Sequence, residues 1–255
     1  MAKVYTITNQ KGGVGKTTTT INLASALRLK GYRVLAIDMD PQGNLSFSAG
    51  ADSSLSATIY EVLKGEIKMQ YAIQRTPITD IVSTSVLLSG IELEFTESGR
   101  EFLLRQAMSI VKDFYDYILI DTPPGLGILT INAMSASDGV IIPMTADIFS
   151  LQGITQLHDT VSQVKKFSNP LLKIEGVLLN KYDSRIYFSK EVKGAAELIL
   201  QELDVRMFKT SIRPSIVIAE AQSNQADLFV YAKKSGAALD FEEFANELIL
   251  GGMHV

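Results

Sequence analysis

The 255-residue sequence contains no cysteine. Without thiols there are no disulfides, no zinc–thiolate sites and no cysteine-ligated iron–sulfur clusters. Histidine is nearly as scarce. Only His158 and His254 occur, their spacing is not that of a metal-ligand pair, and surface or packing roles account for both. No apolar run approaches the roughly 20 residues needed to span a bilayer. The amino terminus lacks a basic stretch followed by an apolar core and cleavage site, which argues against secretion. There is also no strong excess of charge: the formal net value is −4, so any attraction to nucleic acid must come from a local patch. No repeat, low-complexity tract or long linker divides the chain. With 46% hydrophobic residues, residues 1–255 read as one domain with a large core.

Apolar β-rich runs alternate with helical patterns. Strands are expected at residues 3–8, 33–38, 80–83, 117–121, 139–143, 174–180 and 205–210. Helices are expected at 17–30, 100–114, 151–167, 189–202 and 237–250, with a short helical piece near 59–63 inside a less regular stretch, 46–79. Repeated βαβ units of this kind build a parallel sheet.

The densest signal is Lys11-Gly12-Gly13-Val14-Gly15-Lys16-Thr17-Thr18, between the first strand and first helix. Glycines remove Cβ atoms, so backbone N–H groups can converge on phosphate oxygens at the positive end of the helix. Lys16 can then reach the β- and γ-phosphates, and the Thr17 hydroxyl can join the shell of a bound Mg²⁺. The common G-x-x-x-x-G-K-[ST] pattern needs a glycine where this chain has Gln10, and a second lysine, Lys11, opens the loop instead. One loop has little room for two lysines on one phosphate from the same side. Lys11 is therefore either a solvated loop lysine or a group that reaches the phosphate of a facing subunit.

Two acidic segments follow. Asp38-Met39-Asp40-Pro41-Gln42-Gly43-Asn44 closes the second strand, and ligands of an open parallel sheet collect at the carboxyl ends of its strands. Asp-Pro and Gln-Gly-Asn also form turns, which is the plain reading of residues 41–44; beside a bound phosphate the same turn would be a switch whose position depends on the γ-phosphate. Tyr117-Ile118-Leu119-Ile120-Asp121 is a buried strand ending in an acid, fit to place Asp121 on a magnesium-bound water. Residues 122–125, Thr-Pro-Pro-Gly, would be a second, stiffer switch.

These three segments together resemble the ParA/Soj partition ATPases, within the deviant phosphate-loop group that includes MinD. The likeness runs from Lys3 to about Leu250. It implies an α/β, single-domain, three-layer P-loop fold with a mostly parallel twisted β-sheet flanked by helices. It further implies ATP/ADP and Mg²⁺ as cofactors, with residues 12–18 and Lys11 on the nucleotide. Asp40 would orient the attacking water, while Asp38, Asp121 and Thr17 would hold the metal, Asp38 through a water. Lys11, Lys16 and Asp40 are the expected catalytic set. An ATP-dependent homodimer, a ParB-like activator, nonspecific double-stranded DNA and a cytoplasmic, nucleoid-associated location follow from the same likeness.

Asn180-Lys181-Tyr182-Asp183 contains N-K-x-D, the string that GTP-binding proteins use to read guanine. Tyr182-Asp183-Ser184-Arg185 equally matches a Tyr-Asp-x-Arg stretch common in the resembled family, and Asn180 could contact the adenine N6 amine. ATP is favoured over GTP because the rest of the chain resembles ATPases.

DNA binding is where this sequence departs from its likeness. The family's A-E-A-P-S segment reads Ala219-Glu220-Ala221-Gln222-Ser223 here, and Val217 occupies the place of the usual arginine. Replacement phosphate contacts would come from Arg185, Lys190, Lys193, Lys209, Arg213, Lys233 and Lys234, with Lys181 and Arg206 nearby; Arg213 is favoured by proximity. An ordinary solvated set of lysines and arginines is the plain alternative. The terminal helix has an acidic polar face, repelled by anionic lipid, and is expected to pack on the domain rather than on a membrane. Three functions remain in view: a DNA-segregation switch, a positioning ATPase with a protein cargo, and a nucleotide-gated regulator with little turnover.

Overall fold

The computed structural model describes residues 1–52, 54 and 57–251; His254 lies outside them. Eight strands form one sheet: β1 (Lys3–Ile7), β2 (Val34–Asp38), β3 (Ile73–Arg75), β4 (Asp80–Val82), β5 (Tyr117–Asp121), β6 (Gly139–Thr145), β7 (Lys173–Asn180) and β8 (Met207–Ile212). Their spatial order is β3-β4-β2-β5-β1-β6-β7-β8. Only the edge pair β3–β4 is antiparallel; every other pair is parallel. Strands buried on both faces read as continuous apolar runs, which is why β2 and β5 are buried throughout.

Helices cover both faces. On one side the helices Lys16–Leu29 and Gly236–Gly251 pack over β1, β5 and β8 through Leu23, Leu27, Phe241 and Phe244. The terminal helix thus docks on the domain, and Phe208 meets Phe244 edge-to-face with centroids 4.9 Å apart. On the other side lie the helices Ile128–Ala136 and Ile148–Phe167. No helix of the described residues is long and apolar enough to cross a membrane.

Several local expectations change. The stretch 100–114 is not one helix but a short α-helix, Leu103–Met108, between two 3₁₀ turns. The Asn132 side chain accounts for the break. It accepts from Leu104 N–H at 3.2 Å and donates to the Arg100 carbonyl at 2.8 Å, replacing the backbone bond a continuous helix would make there. The helix expected from residue 151 starts at Ile148, because Asp147 caps it by accepting from Ser150 N–H. Helices Ile128–Ala136 and Ile216–Ser223 were not anticipated; the first is buried nearly all round and so shows no amphipathic period.

Candidate active site

Register brings the acidic residues together. Asp38 ends β2 and Asp121 ends β5, and they are paired directly across these neighbouring strands. Asp121 is also paired with Ile7, the last residue of β1, from which the glycine-rich loop departs. Both carboxylates are fully buried, and neither has an ion-pair partner among the described residues.

Burial raises the Asp38 carboxyl to about 6, against the pull of hydrogen bonds from Ser46 N–H, Ser46 Oγ and Asp40 N–H. Burial and then the neighbouring Asp38 push Asp121 well above the usual carboxylate range. Thr17 Oγ1 donates to Asp121 Oδ2 at 2.6 Å, placing the threonine hydroxyl between loop and carboxylate. Hydroxyl and carboxylate oxygens are the hard donors a magnesium ion takes. The donor set fits that ion.

The loop is anchored at several points. Asn9, which the sequence did not single out, donates to the Pro143 carbonyl at 2.8 Å and accepts from Lys11 N–H at 3.0 Å. Gly13 and Gly15 take left-handed φ values of 76° and 93°, accessible to glycine at no steric cost. Lys16 is buried and donates to the Lys11 carbonyl at 3.2 Å. Desolvation lowers its pKa, partly countered by Asp121 and Asp40. Lys11 points elsewhere: its Nζ lies 2.5 Å from Asp147 Oδ1. Burial alone would raise Asp147, but bonds from Lys11, Thr145 and Ser150 outweigh it and hold the group at about 2.

Asp40 is nearly buried at the cleft and accepts from Gln42 N–H through Oδ1, the only hydrogen bond to its carboxylate among the described residues. Asn180 lies beneath the loop, not open to a base. Its Nδ2 donates to the Val14 carbonyl at 2.9 Å and Thr19 Oγ1 at 3.1 Å, while Oδ1 is buried without a partner. Asp183 is held on both oxygens by Arg185. Gln222 sits at the cleft wall, within 3.4 Å of both Thr18 Oγ1 and Ser48 Oγ. Gly13, Lys16, Asp40, Phe47, Lys181 and Gln222 are among the residues around this cleft of ≈ 520 Å³. A larger hollow of ≈ 670 Å³ near Arg28, Arg33 and Arg75 borders the amino ends of β2 and β4 and contains none of these groups.

Of the candidate basic residues, Arg185, Lys209 and Arg213 line one hollow of ≈ 640 Å³, together with Asp183, Asp240 and Glu243. Arg213 forks onto the buried Asp240, Arg185 onto Asp183, and Lys193 lies 3.7 Å from Glu197. Lys190, Lys209, Lys233 and Lys234 are exposed, with no ion pair among the described residues. Val217 packs against the core. His158 is partly exposed on its helix beside Asp159, and no metal-holding His/Cys/Asp/Glu cluster of three or more occurs among the described residues.

Known proteins align with this geometry. A family model described as an AAA domain matches residues 2–174. Sporulation initiation inhibitor protein Soj of Bacillus subtilis is 38% identical over 99% of this chain and 100% of its own. Chromosome partitioning protein ParA of Caulobacter vibrioides is 38% identical over 97% and 94%. The septum site-determining protein MinD of Pyrococcus horikoshii, solved with Mg-ADP, is similar with a TM-score of 0.80 at 30% identity, over 100% and 99%. Sequence likeness over nearly the whole length, with the same P-loop architecture, shows the lineage: this chain belongs to the ParA/Soj family of partition ATPases.

Proposed function

We propose that this chain is an ATP-hydrolysing switch that dimerises on ATP, binds DNA nonspecifically and segregates plasmid or chromosomal DNA with a ParB-like partner. The observation that carries the reading is the junction of residues 12–18 with the paired acids Asp38 and Asp121, bridged by Thr17. Loop N–H groups and Lys16 bind the phosphates of ATP. Thr17, Asp38 and Asp121 hold Mg²⁺, which when bound neutralises phosphate charge. Asp40 has carboxylate oxygen to spare for a water in line with the γ-phosphorus. As the water oxygen bonds to phosphorus, the β–γ bridging P–O bond breaks, ADP departs, and the water proton passes to the carboxylate or the phosphate. Lys11 leaves Asp147 and reaches the phosphates of the facing subunit, so that dimer formation completes each site. The protein would work in the cytoplasm, on the nucleoid.

A positioning ATPase with a protein cargo is the second reading. It is favoured by Val217 packing on the core and by Arg213 being tied to Asp240.

Calorimetry and single-turnover hydrolysis test the first reading. Lys16→Ala removes charge-assisted bonds of about 1.5–3 kcal/mol each and should weaken MgATP binding at least about tenfold. Asp40→Ala should keep binding but hydrolyse about 10²–10⁴-fold more slowly. Undiminished ATP affinity in the first variant, or normal turnover in the second, overturns the site. DNA binding should need ATP, ignore sequence and fall steeply with salt. An ATP dimer that ignores DNA at low salt selects the protein-cargo reading.

A further inference from the structure

We propose that Lys181 is a nucleotide-contacting residue whose ammonium reaches over the phosphate loop to the ribose and α-phosphate side, the part that ATP and ADP share. This rests on the nucleotide reading above and deepens it.

Lys181 follows the last residue of β7 and has φ of 51°, a left-handed value that L-residues adopt at a cost. The flanking contacts hold it there: Asn180 is pinned under the loop, and Tyr182 N–H donates to the Ile212 carbonyl at 2.9 Å. The turn delivers Lys181 Nζ to the Gly13 carbonyl, 3.1 Å away and 168 positions distant in the chain. An exposed lysine ordinarily leaves its ammonium in water. This one is docked on the loop that binds phosphate.

An ammonium carries three N–H donors. One meets Gly13, and no acceptor for the other two is present among the described residues. Lys181 also lines the cleft that contains Gly12, Lys16 and Thr18. In the sheet, β7 lies two strands from β1 on the side opposite β5 and β2, the strands that end in Asp121 and Asp38. Lys181, which follows β7, therefore stands across the loop's strand from the paired acids, away from the reacting end. Asp183 offers no competing explanation for the Asn-Lys-x-Asp string, since Arg185 occupies both its oxygens. The lysine of that string serves the nucleotide, and the aspartate serves the fold.

The test is calorimetry with MgADP and MgATP on the full chain, alongside steady-state hydrolysis, for wild type, Lys181→Ala and Lys181→Arg. Lys181→Ala should weaken both nucleotides by the same factor, about tenfold. KM should rise while kcat stays within about twofold, the pattern of lost uniform binding. Lys181→Arg should restore most of the affinity, and the alanine deficit should shrink as salt screens the contact. Unchanged affinity in Lys181→Ala, with a lower melting temperature before nucleotide is added, would mean that the lysine only caps Gly13, and the proposal fails. A loss confined to ATP would place the contact at the γ-phosphate and overturn the assignment. If wild type binds neither nucleotide, the parent reading fails instead, so the two failures are distinguishable.

Discussion

Gly15→Ala is the most exacting single perturbation of the phosphate loop. Gly15 has φ of 93°, and a Cβ built on it would lie 2.6 Å from Asn180 Nδ2. Two costs therefore add. A left-handed conformation costs an L-residue about 1–2 kcal/mol. The collision must also displace an amide that serves the Val14 carbonyl and Thr19 Oγ1, and stranding such buried groups costs about 1–3 kcal/mol. The sum is about 2–5 kcal/mol. At about 2–4 °C per kcal/mol for a domain of this size, the nucleotide-free melting temperature should fall by about 4–20 °C. A double-mutant cycle separates the two costs. Asn180→Ala alone loses the hydrogen bonds, while in Gly15→Ala/Asn180→Ala the collision is gone and only the backbone cost is added. The double variant should therefore be more stable than the sum of the singles by about 1–3 kcal/mol, read from urea denaturation. Additivity within about 0.5 kcal/mol would show that close approach to Asn180 does not constrain the loop. A Gly15→Ala protein as stable as wild type would refute the left-handed turn itself.

Two further outcomes follow from the charges. Burial raises Asp121 and Asp38 above their unfolded values, so their contribution is fully present below about pH 4 and lost as pH rises through the folded pKa, near 6 for Asp38. Asp121→Asn, whose amide oxygen can still accept from Thr17, should raise the melting temperature of the nucleotide-free protein at pH 7.5 and flatten its decline between pH 5 and 8 while weakening Mg-nucleotide binding; a wild-type slope in thermal scans would contradict this. Lys11→Ala removes a part-exposed pair with Asp147, worth about 0–1 kcal/mol, and should leave monomer stability nearly unchanged. In an Asp40→Ala background it should nonetheless reduce the ATP dimer on light scattering more than it reduces ATP affinity, and an intact dimer would confine Lys11 to a local role.

The loop and the two acids were legible because each sits where a strand ends, and strand ends were marked by apolar runs followed by Asp or glycine. The register that pairs Asp38 with Asp121 was not, since pairing is a long-range property that no local run encodes. Residues that hold the site in place were missed for a similar reason. Asn9, Ser46 and Asp147 are ordinary polar residues in sequence; their value comes from the Pro143 carbonyl, Asp38 and Lys11 respectively. Arg213 shows the opposite case. Proximity to the family arginine's position suggested a DNA contact, but folding brings Asp240 from the terminal helix and occupies the guanidinium on two nitrogens. Charge in a sequence is visible; its partner is not.

The arrangement gives the expected switch segments a physical connection to the cleft. Asp121 continues directly into residues 122–125, and Asp38 leads through Met39 and Asp40 into residues 41–44, the two segments expected to respond to nucleotide. Asp38 is tied to Ser46 by both backbone and side chain, so the carboxylate and the helix Asn44–Ser48 cannot move independently without breaking buried hydrogen bonds. The far end of that helix reaches Gln222 through Ser48, and Gln222 reaches Thr18 at the start of the loop helix. These last contacts are long at 3.4 Å and therefore weak. The Asp38–Ser46 bonds, at 2.7 and 2.8 Å, are not. The strong end of the circuit lies at the buried carboxylates and the weak end at the cleft wall. Neutralising the carboxylates relieves a cost already stored in the fold. The helix Asn44–Ser48 is held by Asp38, by Thr84 N–H on Ser46 Oγ at 3.1 Å and by buried Leu45, so the Gln222 contacts are the first to give when it moves.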